Sequence, residues 1–111
     1  MDAIEELKKG TGEMLVLCVL AHKPRYGYDI AGEIGRLTEG AVSYKAASLY
    51  PLLYRMERRK WIEGRWVEKA GQRRRRYYRV TDRGQEILRS KSKSWEGFVR
   101  AIDKVLEVQH A

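Results

Sequence analysis

The chain has a single cysteine, Cys18, so an intrachain disulfide is excluded. That scarcity fits a reducing compartment. Long apolar runs are missing too. The longest, Met14 to Ala21, is too short to span a bilayer, so no membrane partner is expected. The opening stretch MDAIEELKKG is acidic at its front and lacks the apolar centre of a secretion signal, so the expected location is the cytoplasm. His22 and His110 have no neighbouring ligand pattern, and neither a metal nor another cofactor is expected. There is no phosphate loop, no nucleophile elbow and no spaced carboxylate pair with an acid–base partner. The chain is therefore not expected to be an enzyme. Repeats and low-complexity linkers are also lacking; the one homopolymer is the short run Arg73 to Arg76.

At 111 residues, 43% hydrophobic and 34% charged, the sequence suits one folded domain with at most one appended element. Its charge is unevenly spread. Residues 55–79 carry 11 basic and 3 acidic side chains, whereas residues 1–54 sum to −1 and residues 80–111 to +1. The whole formal charge of +8 is thus focused on less than a quarter of the chain. A polyanionic partner is the simplest reason for such focusing.

The hydrophobic pattern supplies the elements. Residues 1–10 read as a polar leader of helical character. Thr11 can cap a first helix that is apolar almost all round from Met14 to Ala21, and so central and buried, with Cys18 as a small core hydrophobe. A second helix starts near Tyr26 to Tyr28 and carries Ile30, Ile34 and Leu37 on one stripe. A third carries Leu49, Leu52, Leu53 and Met56 at i, i+3, i+4, i+7. Its Pro51 is tolerable if the helix starts near Ala47 or Ser48. A basic hairpin follows, with strands Trp61 to Val67 and Arg75 to Val80 and turn freedom at Gly71. Strand alternation sets Arg74 and Arg76 opposite to Arg73 and Arg75, so half the run is free for phosphate and the rest for solvent or an acidic helix. Tyr77 and Tyr78 read as hairpin packing, and Tyr26 and Tyr28 as structural. Thr81 caps a last helix. In it Leu88, Trp95, Val99, Ile102 and Leu106 step by 7, 4, 3 and 4, close to a coiled-coil seam. At about 1.5 Å per residue this helix overhangs its own domain, so its far end must bury the stripe against another chain.

Helix, basic hairpin and helix in this order give a mainly α fold with a small β-hairpin wing. The expected architecture is a winged helix-turn-helix over residues 1–80, plus a long C-terminal dimerisation helix over residues 81–111. The strings Tyr26-Gly27-Tyr28 with Ile30 and Ala31, Ser48-Leu49-Tyr50-Pro51-Leu52-Leu53, Arg55-Met56-Glu57 through Trp61-Ile62, and Tyr77-Tyr78-Arg79 with Thr81 and Gly84 resemble the PadR family of bacterial transcriptional regulators. The match runs from about Thr11 to Gly84, and the last helix is similar to that of the smaller members. One departure is Lys60, where the family usually has glycine; Lys60 must turn left-handed or the turn is built differently.

The resemblance implies a homodimeric regulator of double-stranded DNA, a repressor on a pseudo-palindromic operator. It places the third helix in the major groove and the wing on the backbone. Ser43, Tyr44, Lys45, Ser48, Tyr50 and Tyr54 then become the groove-facing candidates, and Lys69, Gln72, Arg73, Arg74, Arg75 and Arg76 the wing. Leu88, Trp95, Phe98, Val99, Ile102, Val105 and Leu106 become the dimer interface. Some small members hold planar compounds between paired tryptophans, which makes Trp95 and Val99 candidates for a small aromatic or cationic effector. The competing readings are a nucleic-acid binder without sequence preference and a winged-helix module that binds only protein.

Overall fold

The computed structural model describes residues 10–110, and the leader expected over residues 1–10 lies outside them but for Gly10. Four helices and three short strands follow in order: α1 (Gly12–His22), β1 (Arg25–Tyr26), α2 (Gly27–Leu37), α3 (Ala46–Arg58), β2 (Ile62–Val67), β3 (Arg75–Val80) and α4 (Asp82–His110). The apolar stripes meet in one core. Val16, Leu17 and Leu20 of α1 pack with Ile30 and Ile34 of α2, with Leu49, Leu53 and Met56 of α3, and with Ile62 and Tyr78 of the sheet. Each such side chain contributes about 1.5–3 kcal/mol by leaving water. Tyr77 and Tyr78 do pack in the hairpin: Tyr78 is buried, and the Tyr77 ring lies 5.6 Å from that of Tyr26.

Three details differ from the sequence reading. Cys18 is exposed rather than in the core. Helices α2, α3 and α4 and the sheet surround α1, yet leave the line of Cys18 and His22 uncovered. Tyr28, expected to be structural, is exposed on α2. The sheet has three antiparallel strands in the order β1-β3-β2, because the two-residue β1 adds to the free edge of the hairpin with Arg25 opposite Tyr78 and Tyr26 opposite Tyr77. Helix α3 starts at Ala46, so Pro51 is its sixth residue; the Ala47 carbonyl that would accept its N–H sits on an exposed residue, within reach of water.

Lys60 does turn left-handed, with φ +63°. Its N–H donates to the Glu57 carbonyl at 3.0 Å, and the Trp61 N–H to the Met56 carbonyl at 3.0 Å. This is the paired hydrogen-bond closure of a helix end in which glycine is at home. Lys60→Gly should therefore raise the unfolding free energy by about 0.5–1 kcal/mol, read as a shift of the urea midpoint at constant slope. A lowered midpoint would show that the lysine side chain, not its backbone, sets the turn.

The start of α4 is locked to the end of α3. Thr81 caps the helix by accepting from the Gly84 N–H at 3.0 Å, while its hydroxyl donates to the Lys60 carbonyl at 2.6 Å. The Thr81 N–H donates to the Trp61 carbonyl at 3.0 Å. Gly84 is pressed so closely on that carbonyl that a Cβ would overlap its oxygen.

A buried cation braces the other side. Arg25 is 3% exposed and reaches Asp29 at 3.2 Å and Glu33 at 2.9 Å on α2, the Val19 carbonyl at 3.2 Å and the His22 ring at 3.1 Å on α1. Hydrogen bonding from Arg36, with Arg25 adding its charge, holds the Glu33 carboxyl below the usual carboxylate range.

Helix α4 runs 29 residues, about 43 Å at the standard rise. Its second turn still belongs to the packed body: Ile87 and Leu88 lie against the core. From Phe98 to His110 every residue is exposed. The radius of gyration is 16.1 Å, against about 13 Å for a compact chain of this length.

Candidate nucleic-acid interface

The register of the hairpin decides what faces helix α3. Ile62, Gly64 and Trp66 on β2 pair with Val80, Tyr78 and Arg76 on β3, and these six share one face of the sheet. Ile62, Val80 and Tyr78 at one end of this face pack on the core. Toward the wing tip, Trp66 and Arg76 leave the core and look across at α3. Tyr50, Tyr54, Glu57 and Arg58 on the outer side of α3 then line one cleft with Arg76 and Tyr78. The cleft continues along the wing past Tyr26, Gly27, Trp66, Arg74 and Arg75.

Its chemistry is aromatic and cationic. Tyr50 is 46% exposed, Tyr54 62% and Trp66 54%. Arg58 lies over the Tyr54 ring at 5.8 Å, Arg74 over Trp66 at 4.5 Å and Arg75 over Tyr26 at 4.4 Å. Burial pushes the Tyr78 phenol above its usual range. The arginine run divides as strand alternation requires, with Arg74 and Arg76 stacked on Trp66 and Arg75 on the opposite face over Tyr26. Glu63 takes Arg79 on the outer face at 2.7 Å.

The sequence candidates separate into groups. Ser43, Lys45, Ser48, Tyr50 and Tyr54 are exposed on or just before α3, and Lys69, Gln72, Arg73, Arg74 and Arg75 are exposed along the wing. Tyr44 is placed otherwise: its ring packs on the core and its hydroxyl lies against Gly12 of α1. Arg76 is half-buried and spends its charge on an ion pair with Glu57, the one carboxylate on an otherwise basic α3. Leu88, read as part of the outward seam, lies partly buried against the core of its own chain, because the first turns of α4 are clamped down by Thr81 and Gly84. The remaining interface candidates Phe98, Val99, Ile102, Val105 and Leu106 are exposed, and Trp95 is half-buried, its ring centre 6.0 Å from that of Phe98.

Trp66, Glu57 and Arg58 of the cleft were not among the site candidates of the sequence reading. The signal for Trp66 was its alternation with Ile62 and Gly64 in the strand. Glu57 gives none, because its partner lies 19 positions away. The fold also explains two of the quoted strings together. A Cβ on Gly27 would meet the Tyr50 hydroxyl at 2.5 Å, so Tyr-Gly-Tyr leaves the space that Leu-Tyr-Pro-Leu-Leu fills.

Comparison with known proteins agrees with this geometry. Residues 16–90 match the profile of the Transcriptional regulator PadR-like family. An uncharacterized protein of Lysinibacillus sphaericus is 30% identical over 102 residues, covering 92% of this chain and 94% of its own. Among solved structures, a PadR family transcriptional regulator from Eggerthella lenta superposes with a TM-score of 0.78 at 35% identity, covering 94% of this chain and 88% of its own. A PadR-like transcriptional regulator from Bacillus cereus gives 0.80 at 30% identity, over 91% and 96%.

Proposed function

Because the chain belongs to the PadR-like family of transcriptional regulators, we propose that it is a sequence-specific DNA-binding repressor, active in the cytoplasm as a homodimer on a pseudo-palindromic operator. The observation that carries the reading is the shared cleft: the outer side of α3 and the basic wing open onto one surface. In this reading residues 1–80, with the first turns of α4, hold the DNA. Ser43, Lys45, Ser48, Tyr50 and Tyr54 meet base edges or the flanking backbone. Lys69, Gln72, Arg73, Arg74 and Arg75 meet phosphates. The remainder of residues 81–111 pairs two copies through Trp95, Phe98, Val99, Ile102, Val105 and Leu106.

Trp95 supports a regulatory refinement. Its half-covered indole, with Val99 one turn on, gives each copy a flat apolar face near the start of the exposed helix. Two such faces across a dyad suit a planar aromatic or cationic effector. Its binding would alter the spacing of the two wings and shift the DNA-competent population.

The test is a salt titration of DNA binding by the wild type and by a variant with Arg73, Arg74 and Arg75 changed to alanine. Every phosphate left unneutralised by these changes should reduce the log–log salt slope by about 0.9, and binding to operator and random duplex should weaken alike. An unchanged slope would remove the wing from the DNA face. A wild type that binds random duplex as tightly as its best selected duplex would favour the reading without sequence preference.

A further inference from the structure

The wing and helix α3 are joined by a continuous line of side chains. Glu57 on α3 holds the Arg76 guanidinium in an ion pair whose partners are about 30% exposed. Arg76 lies over the Trp66 ring at 5.5 Å and beside Tyr78 at 5.9 Å. Trp66 carries Arg74 on its ring at 4.5 Å. Gly64 makes the room: a Cβ there would come within 2.7–2.9 Å of the Arg76 guanidinium. An arginine guanidinium can stack on an indole while its N–H fork serves a carboxylate, so the line needs no group to do two incompatible things.

We propose that Glu57 is a positioning residue for the wing: through Arg76 and Trp66 it holds Arg74 ready for phosphate at a fixed offset from α3. The inference rests on the DNA-binding reading above and deepens it. A carboxylate in a cationic cleft would, by Coulomb repulsion alone, weaken the grip on a polyanion. Its use here is to fix geometry. Without it, Arg76 and then Arg74 revert to the many rotamers of free arginines, and binding must order them anew.

The experiment measures affinity and salt slope on a short duplex enriched from a random-sequence pool with the wild-type protein, using the full chain throughout. Glu57→Gln raises the net charge by one, yet it should bind about tenfold more weakly, with a slope smaller by about 0.9 because Arg74 no longer neutralises its phosphate. Trp66→Ala should weaken binding similarly, and Glu57→Gln with Trp66→Ala should be little worse than either alone, because both break one line. Gly64→Ala alters no charge and no ring but displaces Arg76. It should reproduce the loss, and it decides the matter if Glu57→Gln lowers the melting temperature enough to confuse the reading. Affinity that rises or stays level in Glu57→Gln, or in Gly64→Ala if that variant must decide, overturns the inference alone, as does simple additivity of Glu57→Gln and Trp66→Ala. A wild type that enriches no duplex overturns the DNA-binding reading and this inference with it.

Discussion

Replacing Gly84 by alanine should come close to unfolding the protein. The added methyl group would overlap the Trp61 carbonyl oxygen and stand 2.8 Å from Val80 Cγ2. That carbonyl cannot swing away, because it accepts from the Thr81 N–H and lies 3.0 Å from the Thr81 hydroxyl. Helix α4 would have to lift off, breaking the Thr81 cap and uncovering Ile87 and Leu88. Overpacking against backbone, a broken cap and two re-exposed apolar side chains together should cost about 3–5 kcal/mol, a large part of the usual 5–15 kcal/mol. For a domain of this size the melting temperature should fall by about 15–30 °C in a circular dichroism scan. A fall of only a few degrees would mean that α4 docks on a yielding surface.

The second large effect concerns the other end of α4. Phe98→Glu combined with Ile102→Glu should convert the protein to a monomer in sedimentation velocity. Phe98 is 55% exposed, Ile102 40%, and Leu106 and Val105 continue the same face. Burial of such side chains in a dimer is worth about 1.5–3 kcal/mol each before ordering costs, and two carboxylates placed there per copy would reverse the gain. In the proposed dimer the second half-site is held at high effective concentration, so operator affinity should drop by about 10²–10⁴-fold while the melting of the winged body changes little. A variant that still sediments as a dimer would put the interface elsewhere.

Much of this was legible in the sequence because it depends on short-range periodicity. Leu49, Leu52, Leu53 and Met56 recur at helical spacing, and all four are buried on α3. Strand β3 has the limits that its composition suggests, Arg75 to Val80, and Thr81 caps α4. What was not legible depends on closure in three dimensions. Strand β1 has two residues and no period to detect. Nothing local marks Arg25 as buried, because the carboxylates that pair with it come from the next helix. Cys18 sits in an apolar run that does not reveal which side its neighbours will leave open. At the candidate interface, alternation gave the split of the arginine run. The side that each half faces followed only from the pairing register of β2 with β3.

The overhang of α4 makes it a lever. Between Gly84, where the helix is clamped to the body, and Ile102, in its exposed half, lie about 27 Å of rod at the standard rise. If two copies pivot near Ile102, a tilt of about 10° carries the clamped end through roughly 5 Å, more than the 3.4 Å between successive base pairs. The clamp at Thr81 and Gly84 ties that swing to the end of α3 and the start of β2. In the proposed dimer, a small change in how two such rods cross would therefore be enough to take both α3 helices out of step with the groove.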